Sequence, residues 1–239
     1  MAAEESLISM GLRTGLGLEQ KTYGSSLLKA QLSWFPPSAD CKLLIIAGIH
    51  GEEPDTTVSL SRAIRSIETA DISQSIGLIL TANPDGLQLG TRGNARGVDL
   101  NRNFPTTNWQ AEPTNCRWHA DEDLALPILT GNHAGSEPET AALIELIRST
   151  SPDRILALHG PLACIDDPQP GPFAEWLAEE TGMPLLTEIG YPTPGSLGTW
   201  GDEQGIPVTT LEFPPEGIEI LSRTQVPTLV EILRGNCPM

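Results

Sequence analysis

Positive charge is what this chain has least of: 14 Lys and Arg stand against 31 Asp and Glu, a formal net charge of -17. A surface of that sign repels phosphate backbones and anionic lipid, which excludes nonspecific binding to nucleic acid or to a membrane surface. An anionic small substrate stays open, because a local cluster of arginines overrides the global field. Long apolar runs are missing too, and none could span a bilayer. The stretch from Met1 to Gln20 has Glu4 and Glu5 early, and its short apolar segments are broken by glycines and Arg13, so it does not read as a secretory signal. Cysteine is sparse. Cys41, Cys116, Cys164 and Cys237 stand without CxxC spacing, and in an unexported protein they are expected as free thiols. These absences make the cytoplasm the expected location. They leave the oligomeric state, monomer or homodimer, undetermined.

What is present is a chain of 239 residues with 39% hydrophobic residues, enough to bury a sizeable core, most simply as one domain over residues 1–239. Lys42–Ala47, Ile76–Ala82, Arg154–Leu158 and Val208–Phe213 are short apolar, β-rich runs and read as strands, with Leu27–Phe35 an outer strand stopped by Pro36 and Pro37. Asp55–Ile67 carries Val58, Leu60, Ala63, Ile64 and Ile67 on one helical face. Ser136-Glu137-Pro138-Glu139 starts a helix to Ile147, with a Ser cap, an early proline and an acidic first turn. Helices are also expected over Phe173–Glu180 and Thr224–Leu233, and Leu124–Leu129 lies in a connection. Strands alternating with helices predict an α/β three-layer sandwich around a mixed, largely parallel sheet. Active sites in such sheets collect beyond the strand carboxyl ends.

Asn83–Pro105 fits no amphipathic period. It holds Asn-Pro and Asp-Gly turn formers, four glycines, four asparagines and Arg92, Arg96 and Arg102. A polar, arginine-bearing loop after a buried strand suits carboxylates or carbonyl oxygens; the plain alternative is a solvated surface loop. Strand Lys42–Ala47 runs into Gly48-Ile49-His50-Gly51-Glu52-Glu53, where His50 and Glu53 can converge on one ion. His159 directly follows another strand. Two His and one Glu give three protein ligands and leave one position open, the catalytic pattern for zinc, although His159 alone could be a core histidine. His119 and His133 lie in polar, loop-like surroundings and read as surface histidines. Glu212 ends a β-branched, apolar strand, where a carboxylate is costly unless paired or catalytic; it could salt-bridge a loop arginine or serve as general base and then acid.

His50-x-x-Glu53, Asn83-Pro-Asp-Gly, Arg92-x-Asn-Ala-x-Gly-x-Asp-Leu-Asn101-Arg102-x-Phe-Pro, His159 and Glu212 together resemble the carboxypeptidase A family of zinc peptidases, in order and approximate spacing, from about residue 43 to 213. The resemblance implies one Zn2+ held by His50, Glu53 and His159, with Glu212 activating water and Arg92 stabilising the oxyanion. It further implies that Asn101 and Arg102 bind the free carboxylate of the released residue. Tyr191, nine residues before Trp200, matches the family's mobile tyrosine, or is an ordinary loop tyrosine. Within the family, the short length and the Tyr191–Glu212 region are similar to the subgroup that cleaves the γ-D-glutamyl–meso-diaminopimelate amide of murein tripeptide. The expected partner is therefore a small murein peptide. Two departures bear on specificity. Glu52 stands where digestive members carry an arginine and would favour an ammonium group, and Gly198 falls at the position setting pocket charge, suggesting a roomy, uncharged floor. Arg96 is expected to face solvent. A zinc-dependent N-acyl amino acid deacylase of the aspartoacylase kind is a competing reading, and an inactive metal- or peptide-binding module is another.

Overall fold

The computed structural model describes residues 16–117 and 125–239. The expectations for residues 1–15, for His119 and for the Cys116 thiol lie outside the described residues. The continuous apolar runs become strands buried on both faces: β3 (Leu43–Ile46) and β4 (Ile76–Ile79) are buried at every position. They join β7 (Arg154–His159) and β10 (Val208–Glu212), and the sheet is completed by β8 (Cys164–Asp166) and β9 (Leu185–Leu186). The order is β4-β3-β7-β10-β8-β9. The first four strands run parallel, β8 is antiparallel to β10, and β9 is parallel to β8. The mixed, largely parallel sheet is the one expected from the sequence.

Strand alternation splits the side chains between two cores. Leu43 and Ile45 pack with α1 (Pro54–Arg65), α4 (Pro172–Thr181), α6 (Ile218–Thr224) and α7 (Val226–Arg234). Leu44 and Ile46 pack on the other face with α3 (Pro138–Thr150) and α5 (Leu197–Gln204). Helix, sheet and helix form three layers. A short helix, α2 (Pro84–Leu89), leaves the end of β4, and two hairpins lie outside the sheet: β1 (Lys21–Ser25) with β2 (Gln31–Trp34), and β5 (Thr114–Arg117) with β6 (Ala125–Ile128). Among the described residues no helix is long and apolar enough to cross a membrane.

Three local expectations change. The outer strand begins at Gln31 rather than Leu27, because the Leu27 and Leu28 N–H groups donate to the Glu139 and Asp85 carboxylates (both 2.8 Å) instead of to a strand partner. Helix α3 is capped at Glu137, not Ser136; the Ser136 hydroxyl donates to the Glu137 carboxylate at 2.8 Å. The carboxyl-terminal helix is two helices meeting at Gln225, where Pro227 in the first turn of α7 lacks an N–H to continue the ladder. Cys41, Cys164 and Cys237 are free thiols, and burial pushes the Cys41 thiol up to about 11.

Candidate active site

Three parallel strands deliver the chemistry to one edge of the sheet. His50 lies just beyond β3, and Glu53 caps α1 after Pro54 sets its first turn. His159 is the last residue of β7 and Glu212 the last of β10, and the two are register partners. The His50 turn is pressed against α2: a Cβ on Gly51 would sit 1.9 Å from the Gly86 carbonyl carbon, so only glycine lets these backbones approach. Asn83 fastens the same junction. Fully buried, it accepts from Gly86 N (2.9 Å) as the cap of α2 and donates to the Ile49 carbonyl (3.2 Å).

His50 Nδ1 lies 2.7 Å from Glu53 Oε1, and His159 Nδ1 lies 3.1 Å from Glu53 Oε2 and 3.1 Å from His50 Nδ1. The far nitrogen of His50, Nε2, is 3.1 Å from Asp99 Oδ1. With that nitrogen donating to Asp99, the His50 Nδ1 faces a carboxylate oxygen and a second imidazole nitrogen, an arrangement suited to a cation between them. Two nitrogens ~2.1 Å from one tetrahedral zinc ion lie roughly 3.4 Å apart, near the 3.1 Å between His50 Nδ1 and His159 Nδ1. The donor set therefore fits zinc, and His50, Glu53 and His159 form a cluster able to hold one ion. The electrostatics agree. Burial resists the charge on His50, yet Glu53 and Asp99 hold its pKa up at about 9. Burial likewise resists ionisation of Glu53, but the two imidazoles bring it down to about 2. His159 is shifted down, chiefly by burial.

The loop after β4 is anchored by each of its asparagines. Asn94 donates to Glu137 (2.8 Å) and Glu139 (3.1 Å) on the far layer, Asn103 donates to the Thr130 carbonyl (2.8 Å), and Asn101 Oδ1 accepts from Leu197 N (2.8 Å) at the start of α5. Arg92 Nε donates to Asp99 Oδ2 at 2.7 Å, and its Nη1 lies 3.4 Å from Glu52. Arg102 is 2% exposed, and its Nη1 donates to the Asn101 carbonyl at 2.7 Å. The Tyr191 segment is held against Arg102 at Gly195, whose positive φ (+73°) and lack of a side chain admit the Arg102 carbonyl 2.4 Å from the Cβ position. Arg96 does not simply face solvent: half exposed, it pairs with the buried Glu137 at 3.3 Å.

Asn101, Arg102, Tyr191 and Gly198 line the same cleft as His50, Glu53, His159, Arg92 and Glu212. Glu212 Oε2 is buried with no hydrogen-bond partner among the described residues, and burial, then the Glu53 charge, pushes its carboxyl up to about 8. Glu52 borders an adjoining cleft with Asp55 and Glu216 that shares Glu53, Arg92 and His159 with the first, and its carboxylate is turned to Arg92. Asp166 lines the same cleft as Gly198, so the cleft carries an acidic group besides Glu53 and Glu212. His133 is exposed, its Nδ1 near the Ala134 carbonyl. Sequence reasoning missed the role of Asp99, which stands inside the arginine-asparagine motif. It touches His50, Arg92 and, through Asn101 N at 2.7 Å, the following turn. The only signal was an acidic residue flanked by Val98 and Leu100, both buried.

The zinc carboxypeptidase family profile matches residues 36–163. Murein peptide amidase A of Escherichia coli K12 is 44% identical over 215 residues, covering 89% of this chain and 88% of that protein. The namesake from Vibrio campbellii is 37% identical over 232 residues, covering 96% and 93%. The crystal structure of murein-tripeptide amidase MpaA from Escherichia coli O157 superimposes with a TM-score of 0.88 at 42% identity, over 93% of this chain and 94% of that one.

Proposed function

The chain belongs to the zinc carboxypeptidase family, and from that premise we propose that it hydrolyses the γ-D-glutamyl–meso-diaminopimelate amide of cytoplasmic murein tripeptide. The observation that carries this reading is that the His50, Glu53 and His159 cluster, the buried Glu212 carboxyl oxygen and the buried Arg102 share one cleft. The relatives named as murein peptide amidases support the choice of substrate.

His50, Glu53 and His159 would hold the zinc, which would supply Lewis acidity toward the amide carbonyl and the attacking water. Arg102, with Asn101, receives the free α-carboxylate of diaminopimelate; a guanidinium with little access to water binds such a group as a charge-assisted fork. Glu212 takes the proton of the attacking water and returns it to the leaving amine, a task suited to a carboxyl raised toward neutrality. Arg92, oriented by its 2.7 Å contact to Asp99, stabilises charge developing on the carbonyl oxygen. Tyr191 closes over the bound residue from the mouth of the cleft. Asp99 fixes the His50 tautomer and ring plane.

A substrate panel tests this. The zinc-loaded protein is expected to hydrolyse L-Ala-γ-D-Glu-meso-diaminopimelate and to leave N-acetylaspartate, N-succinylglutamate and ordinary α-linked tripeptides essentially intact. Preferential hydrolysis of the acyl amino acids would assign it instead to deacylation.

A further inference from the structure

We propose that Asp166 is the specificity residue that reads the side-chain ammonium of the amino acid released, an inference that rests on the amidase reading above. Asp166 closes β8, in register with Thr210 of β10, one alternation from the Glu212–Cys164 pair. Period-two alternation puts Thr210 and Glu212 on one face of β10, and Asp166, Thr210 and Glu212 all line the catalytic cleft. Its neighbour Asp167 faces the opposite way and is fully engaged. It is buried, accepting from Thr209 Oγ1 at 2.6 Å and from Gln169 N at 3.0 Å.

Asp166 has no such engagement. Among the described residues no hydrogen bond or ion pair reaches its carboxylate, and burial, followed by the charge of Asp167, pushes its carboxyl up to about 6. A partly desolvated anion facing a cleft without a counter-charge is costly on its own and gains most from a cation that enters with a ligand. The cleft's own cations do not serve it: Arg92 is turned to Asp99, and Arg102 belongs to the carboxylate clamp. Gly198, which lines the same cleft, leaves room there: a Cβ at that position would find its nearest neighbour, Ser196 Oγ, only at 3.9 Å. Glu52, by contrast, already faces a cation, with Arg92 Nη1 at 3.4 Å. A cleft with a guanidinium clamp and a separate, unneutralised carboxylate is complementary to a diamino acid. The α-carboxylate goes to Arg102 and the distal ammonium to Asp166, while the Thr193 and Thr210 hydroxyls can meet a distal carboxylate.

The test compares two substrates that differ only in that ammonium: L-Ala-γ-D-Glu-meso-diaminopimelate and the analogue carrying 2-aminopimelate, which keeps chain length and distal carboxylate. Wild-type protein is expected to prefer the diaminopimelate peptide in kcat/KM. Asp166→Asn should cut that preference ratio roughly 10–100-fold, the worth of a hydrogen bond to a charged group, chiefly through KM. Zinc content and Tm report whether the variant is folded, and Asp166→Ser, read by the same ratio, takes its place if it is not. A ratio unchanged by the substitution, or both substrates weakened equally, overturns the assignment of Asp166. Wild-type protein inactive on both peptides would instead overturn the amidase reading itself, so the two failures are distinct.

Discussion

At the scale of single residues, the site is a set of acceptors arranged to demand positive charge. Glu53 faces both imidazoles, and Asp99 sits behind His50 with Arg92 on its other oxygen. Asp99 is buried and held well below the usual carboxylate range; burial opposes this, but Arg92 and His50 prevail. Asp99→Asn preserves shape but can no longer guarantee which His50 nitrogen carries the proton. Zinc affinity should fall about 10–100-fold, the usual effect of losing an outer partner of a metal-bound histidine, as read by competition with a chelating dye. Unchanged affinity would mean that Asp99 serves Arg92 alone. Glu212→Gln separates binding from turnover. It should retain zinc and tripeptide binding while kcat falls roughly 10²–10⁴-fold; a variant that lost its zinc would show that Glu212 supports the metal site instead.

At the scale of elements, the junction of the His50 turn with α2 sets the precision of the site. Asn83 caps α2 and ties it to the Ile49 carbonyl, and Gly51 lets the two backbones touch. Asn83→Ala should cost about 1–2 kcal/mol through the lost cap, seen as a Tm lower by roughly 2–8 °C for a chain of this size. A Tm within 1 °C of wild type would show the junction held by packing alone. What the sequence revealed, and what it hid, divides at this scale. The four long parallel strands were readable because burial on both faces makes them continuous apolar runs, and the histidines and glutamates stand at their ends. Segments β8 and β9 have three and two residues, too few for any period to register, which is why Asp166 escaped notice. Helix α2 was hidden because its six residues include Pro84 and Gly86, and it is specified by a cap rather than by an apolar face. Asp99 was hidden for another reason: its partner His50 is 49 positions away, and only the meeting of two loops joins them.

At the scale of the whole molecule, a chain of net charge -17 brings two imidazoles and a carboxylate from distant segments to one point able to hold an ion. The unfolded chain has no such cluster, so metal binding is also structural stabilisation. Removing zinc with a chelator should lower Tm, and added zinc should restore it by mass action, by about 2.7 kcal/mol when free zinc is 100 times its Kd. His159→Ala should abolish that response. A Tm indifferent to zinc in the wild-type protein would contradict the fit of the cluster to the metal.

The same organisation explains how so acidic a molecule can take an anionic peptide. Arg92 and Arg102 both line the cleft, and the proposed reading gives Arg102 the α-carboxylate and Arg92 the charge that develops on the carbonyl oxygen. The most direct test of this account is mass spectrometry of the products formed from L-Ala-γ-D-Glu-meso-diaminopimelate by the zinc-loaded protein. Free meso-diaminopimelate and L-Ala-D-Glu in equal amounts are the predicted result. Intact tripeptide, or release of L-alanine instead of diaminopimelate, would contradict it.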